Sequence, residues 1–136
     1  LDGIFAAMAG GAAVERRDID IKGRNLSIPR AARDVAFFHF SEICEIAAGP
    51  ADYLALAEAY RFVIIADVSV FDDSRRDVAL RFVTLIDALY DKGRQIALSA
   101  AVDVTHIYKG TALQVVFDRT VSRLIEMQSR EYRETM

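Results

Sequence analysis

Phe62-Val-Ile-Ile-Ala66 is an unbroken apolar run of a strand's length, too short to cross a membrane. Through Val68 the segment is continuous rather than alternating, so it needs cover on both faces. Helical patterns lie on either side of it. Pro50 suits the first position of a helix running to about Tyr60, with Tyr53, Leu56, Ala57 and Tyr60 on one face. Beyond the strand, Val78, Phe82, Ile86 and Tyr90 recur every four residues, and Ala79, Leu85 and Leu89 widen the stripe. Ser74 with Asp77 three residues on reads as a capping box for this helix. Asp77 and Arg81 are spaced for an i,i+4 pair, and Gly93 is placed to end the helix in the left-handed conformation.

The flanks extend this pattern. Ile19 and Ile21 alternate with charges, and Leu26 and Ile28 with polar groups, around a turn-like Lys22-Gly-Arg-Asn25. That predicts a hairpin whose second strand Pro29 closes. Val35 to Phe40 reads as a strand with aromatics on both faces, and Gln95 to Val102 as another apolar strand. A short turn near Thr105 to Tyr108 leads to a last strand, Leu113 to Phe117. A helix from about Asp118 to Glu134 closes the chain, with Val121, Leu124, Ile125 and Tyr132 inward. Glu126–Arg130 and Arg130–Glu134 are spaced for surface pairs. The expected fold is α/β: an N-terminal β-hairpin, then a small, mostly parallel sheet flanked by helices, with a C-terminal helix. One domain spans residues 1–136.

Composition narrows the function. The chain is 53% hydrophobic and 27% charged with a net charge of −3, which excludes disorder and gives no global invitation to nucleic acid. A single cysteine excludes a disulfide framework, and Cys44 is expected to be a buried structural thiol. Residues 15–34 are net basic and residues 35–75 net acidic, a distribution typical of solvated faces. The apolar start, Leu1 to Val14, has no basic region before it, and an intracellular protein without an integral membrane segment is expected.

No Gly-x-x-x-x-Gly-Lys-Ser/Thr loop, Gly-x-Gly-x-x-Gly loop or Gly-x-Ser-x-Gly elbow occurs, and Gly10-Gly11 reads as a loop. Asp67 ends the buried strand, where ligands gather in open α/β sheets. With Asp72 and Asp73 it has the makings of a magnesium or phosphoryl site; the plainer reading is an acidic loop favouring the next helix's N-terminus. Ser99 and Asp103 end the third strand at the same edge. Asp87 reads as a surface or capping acid and Tyr90 as core with its hydroxyl at the rim. Arg119 and Arg123, one turn apart, place like charges on one face, which asks for acidic partners or an anion that arginine can clamp.

Four ordered blocks carry a resemblance. Phe38-His-Phe-Ser-Glu-Ile-Cys44, Ala51-Asp-Tyr-Leu-Ala-Leu-Ala57, Arg81-Phe-Val-Thr-Leu-Ile-Asp-Ala-Leu-Tyr-Asp91 and Phe117-Asp-Arg-Thr-Val-Ser-Arg-Leu-Ile-Glu-Met-Gln-Ser-Arg-Glu-Tyr132 resemble segments of the ZapE/AFG-type AAA-family P-loop ATPases. Arg119, Ser122, Arg123, Leu124, Glu126, Met127, Gln128, Ser129 and Tyr132 match the family's closing run. Leu80, Ser69 and Val104 depart from it, standing where an arginine and two prolines are usual.

The resemblance covers about residues 15–136 and implies the C-terminal part of a longer ATPase, without its Walker A and Walker B segments. The start at Leu1 fits a fragment. ATP and magnesium are then implied for the full-length protein and no cofactor for this piece, which alone is expected to be inactive. Arg119 or Arg123, and less so Arg81, is implied as a nucleotide-sensing or intersubunit residue, with no catalytic residue and no metal ligand. The implied partners are the N-terminal ATPase core, further copies of the chain, and a division-ring or client protein. Bacterial cytoplasm is the implied location, with membrane association through partners. Two other readings stand beside this one: a protein-interaction module without a nucleotide role, and a magnesium-dependent phosphohydrolase built on Asp67, Asp87 and Asp103.

Overall fold

The computed structural model describes the backbone of residues 2–135 and the side chains of residues 3–127. In chain order the elements are α1 (Asp2–Ala9), β1 (Glu15–Ile21), β2 (Arg24–Ala32), β3 (Val35–His39), α2 (Phe40–Ile43), α3 (Pro50–Ala59), β4 (Phe62–Val68), α4 (Arg76–Asp91), β5 (Gln95–Ala100) and α5 (Gln114–Thr135). One five-stranded sheet runs in the order β1-β2-β3-β4-β5. The first three strands pair antiparallel, and β3, β4 and β5 pair parallel.

β4 lies in the middle of the parallel part and is covered on both sides, as its apolar run requires. Val63 and Ile65 join the larger core with Phe38, Leu56, Phe82, Leu85 and Leu124. Phe62, Ile64 and Ala66 face the other way, into a smaller core with Phe5, Ala9, Val35 and Phe37. The α3, α4 and α5 helices therefore share one face of the sheet, and α1 covers the other. Nothing in the sequence pattern marks this first helix, because two turns are too short to show a period.

The hairpin turn at Lys22-Gly23 has φ of 49° and 93°, the left-handed pair that matches strand twist. Pro29 does not close β2. Glu15 pairs with Ala31 and Arg17 with Ile28, so a bulge takes up Pro29, where its missing N–H costs no ladder bond. The α4 cap also differs from expectation: Asp72 accepts from the Ser74 N–H, and Ser74 lies inside a 3-10 turn, Asp73–Arg75, that precedes the helix. Asp77 and Arg81 pair as their spacing predicts, and Gly93 ends α4 at φ 66°.

The strand expected at Leu113–Phe117 is instead the entry to α5. Leu113, Phe117, Thr120, Leu124 and Met127 are buried, a helical period that starts before Asp118. Phe117 stacks on Phe82 and Tyr108, which fixes that end of the helix on the core. Ile125 is exposed rather than inward. The placements expected of Tyr132, Arg130 and Glu134, and the matching Gln128 and Ser129, lie outside the described side chains.

Candidate functional site

Two polar clusters gather the candidate residues, one between α4 and α5 and one at the carboxyl edge of the sheet. In the first, Asp87 and Tyr90 on α4 face Arg119 and Arg123 on α5. Arg123 donates to Asp87 Oδ1 and lies over the Tyr90 ring, 4.7 Å from its centroid. Arg119 reaches Asp87 Oδ2 at 3.4 Å. Tyr90 donates its hydroxyl to Glu126 at 2.8 Å. One carboxylate thus answers both like charges. The arginines differ in access: the Arg123 side chain is 24% exposed and that of Arg119 is 56% exposed. Arg81 is not part of this cluster. It points to the end of α2, with Nη1 3.4 Å from the Cys44 carbonyl and 3.6 Å from Asp77.

The second cluster lies across three parallel strands. Asp67 sits in the left-handed region at φ 60°, and the β4–β5 register shifts between Ile65 and Val68. This conformation is uncommon outside glycine, although aspartate tolerates it better than most residues. The Asp67 N–H donates to Ser99 Oγ at 3.0 Å, and its Oδ2 lies 2.9 Å from His39 Nδ1. Asp67, Val68, Ser69, Ser99, Ala100 and Ala101 line a cleft there. Arg75 donates to Ser69 Oγ and pairs with Glu45.

The other acids of this edge have local work. Asp72 caps the turn before α4, and hydrogen bonds from the Ser74 hydroxyl and N–H hold its pKa below the ordinary value. Asp73 accepts from the Tyr108 hydroxyl and from the N–H groups of Thr111 and Ala112; the tyrosine bond foremost lowers its pKa. Asp103 caps the next 3-10 turn, and the Thr105 N–H lowers its pKa. Asp67, Asp87 and Asp103 therefore do not converge, and among the described residues no three His, Cys, Asp or Glu side chains are grouped to hold a metal ion. Gly10-Gly11 turns the chain out of α1 at φ 60° and 84° and leads into β1, so it is not the loop-to-helix cradle that phosphate binding uses. Cys44 is fully buried, and burial pushes its thiol pKa up.

Two polar sets have no counterpart in the sequence expectations. Asp52 is buried and binds Arg24 with both oxygens, and it also accepts from the Gly49 N–H at 2.7 Å. Its position three residues after Gly49, at the start of a helix opened by Pro50, was the available signal. Tyr108 ties Asp73 to the Leu113 N–H and so sets where α5 begins. No sequence pattern marks that contact.

The family model described as AFG1-like ATPase matches residues 1–136. "Cell division protein ZapE" of Escherichia coli is 33% identical over 132 residues, 97% of this chain and 35% of that protein. An uncharacterized protein of Schizosaccharomyces pombe is 35% identical over 99 residues, 73% of this chain and 22% of that protein. "Lactation elevated protein 1 homolog B" of Danio rerio is 28% identical over 148 residues, 85% of this chain and 29% of that protein. The chain thus spans about a third or less of these relatives' length. No solved structure matches it. With a family model matched from end to end, the chain belongs to the AFG1-like ATPase family.

Proposed function

We propose that this chain is the C-terminal part of a longer AFG1-like ATPase, and that it supports nucleotide hydrolysis and assembly without binding ATP itself. ATP and magnesium belong, in this reading, to the remainder of the protein. The observation that carries it is the unequal pair on α5. Arg123 is locked on Asp87 and Tyr90, while Arg119 beside it is half-exposed and makes one long ion pair. A guanidinium held by one long contact at a single terminal nitrogen, with its other donors open, can be offered to a phosphate of another part of the protein or of a neighbouring subunit. The absence of a glycine-rich phosphate loop from the sequence supports a contributing role over a complete site.

The similarity to a protein named for cell division supports a role in bacterial division or protein quality control, with the ATPase core, further copies of the chain and a division-ring or client protein as partners. No helix among the described residues is long and apolar enough to cross a membrane. A cytoplasmic place, with any membrane association made through partners, is the location we propose.

The test is Arg119→Ala in the full-length protein. Turnover is expected to fall about tenfold or more, well within what a phosphate-directed arginine supplies. If hydrolysis and nucleotide-dependent assembly both stay at wild-type levels, the reading is wrong. Calorimetric titration of this chain with magnesium-ATP is expected to show no binding, and micromolar affinity would overturn that part.

A further inference from the structure

The two edges of the sheet are unlike. β1 carries Glu15, Arg16, Arg17, Asp18 and Asp20, the kind of charge density that keeps an edge strand from pairing with another chain. β5, at the opposite edge, reads Gln-Ile-Ala-Leu-Ser-Ala and has no charge. Gln95 donates its N–H to the Arg61 carbonyl, and β5 keeps one parallel register with β4 from Gln95 to Leu98, then pairs again at Ala100 after an extra residue in β4. Strand alternation then turns the peptide groups of Gln95, Ala97 and Ser99 toward β4 and those of Leu98 and Ala100 outward. Among the described residues, Leu98 and Ala100 have no backbone partner on the outer side.

This open stretch ends in the cleft formed by Asp67, Ser69, Ser99, Ala100 and Ala101. The left-handed turn at Asp67 swings its carboxylate out of the ladder, and the side chain is 77% exposed. His39 holds one carboxylate oxygen. The nearby cation, Arg75, is engaged by Ser69 and Glu45. Among the described residues no lysine or arginine pairs with Asp67.

We propose that the β5 edge takes up an extended basic polypeptide segment by strand addition, with its lysine or arginine seated at Asp67. Outward N–H and C=O groups call for a peptide backbone, and the small side chains of Ala97, Ser99 and Ala100 leave room for those of an added strand. The carboxylate at the end of the edge selects for positive charge. This surface lies apart from the Arg119–Arg123 cluster, so it stands whether or not those arginines meet nucleotide.

The probe is a short synthetic peptide alternating threonine and valine, with one central lysine. Binding is expected to slow hydrogen exchange at the Leu98 and Ala100 amides. A peptide N-methylated at its pairing positions is expected not to bind, which tests strand addition without altering the protein. Glutamate in place of the central lysine is expected to weaken binding about twofold to fivefold, and Asp67→Asn to erase that difference. Ala100→Pro removes an outward N–H and no bond to β4, and it is expected to abolish binding with the fold retained. Equal affinity for the lysine and glutamate peptides, or unchanged exchange at Leu98 and Ala100, overturns the proposal. So does protection of those amides in the free protein through a concentration-dependent dimer, which would make a second copy the occupant.

Discussion

Arg24, at the tip of the hairpin, donates to both carboxylate oxygens of Asp52, at 2.6 and 2.7 Å, and Asp52 is completely buried at the start of α3. The pair fastens β2 onto the helical layer. It explains why an Asp-Tyr pair opens this helix: Asp52 clamps the hairpin, and Tyr53 donates its hydroxyl to the Ile43 carbonyl at 2.9 Å. Asp52→Ala removes the clamp and the bond from the Gly49 N–H together, and is expected to cost about 1–3 kcal/mol in chemical unfolding. Arg24→Ala leaves the buried carboxylate with fewer partners and is expected to destabilise as well. If both variants unfold with wild-type midpoints, the clamp does not hold the hairpin.

The same carboxylate gives the fold an acid limit. Burial opposes ionisation of Asp52, but the hydrogen bonds from Arg24 and the Gly49 N–H outweigh it and leave its pKa below the ordinary aspartate value. Asp73 is lowered in the same sense, foremost by the Tyr108 hydroxyl. Groups with a folded pKa below the unfolded one contribute stability above the unfolded value and lose it as pH falls through the folded one. The melting temperature is therefore expected to hold from neutral pH to about pH 5 and to fall from about pH 4 downward. Asp52→Asn should lower it at neutral pH and flatten the acid fall. An acid fall of unchanged depth in that variant would assign the limit to other groups.

The order of strands and helices was legible because β4 is continuous and α4 strongly periodic. The hairpin was legible through Lys22-Gly23. The α5 entry is not legible in the sequence because Leu113 to Phe117, taken alone, is a short, mostly apolar run that a strand or a helix can equally claim. Only contact with Phe82 and Tyr108 decides it. The site was legible in part. The pairing of Arg119 and Arg123 asks for an acid, but nothing in the spacing points to Asp87, because that contact joins residues 32 apart in sequence on two different helices. The left-handed Asp67 has no sequence signature, since it depends on the register shift against β5.

The helical assignment at Leu113–Phe117 has its own test. Val115 is 83% exposed, while Phe117 is buried within an aromatic cluster. Val115→Lys is expected to change stability by less than about 0.5 kcal/mol, and Phe117→Ala to cost about 3–5 kcal/mol. In a strand, residues two apart would share a face and respond alike. Similar losses at both positions would restore the strand.

Gly110 reports on the latch that sets α5. A Cβ at this position would collide with the Asp73 carboxylate and the Tyr108 hydroxyl. Both atoms are held in a shared hydrogen-bond set, so neither can retreat without breaking it. Gly110→Ala is expected to cost about 1–3 kcal/mol. Tyr108→Phe should relieve the collision only in part, because it also leaves the Leu113 N–H without its acceptor. Measuring the two single variants and the double variant gives their coupling, and strict additivity would mean that Gly110 does not act through the latch.

The division of labour between the two arginines of α5 can be read without nucleotide. Arg123→Ala removes the Asp87 ion pair and the stack on Tyr90, and is expected to destabilise this chain by about 1–2 kcal/mol. Arg119→Ala gives up one long, half-exposed ion pair and is expected to cost less than about 0.5 kcal/mol. Double-mutant cycles with Asp87→Ala should show coupling to Arg123 and almost none to Arg119. A residue kept for a partner contributes little to its own fold, so the small loss at Arg119 is the signature to look for. If Arg119→Ala costs as much as Arg123→Ala, Asp87 binds both as a structural clamp and neither guanidinium is free to be offered elsewhere.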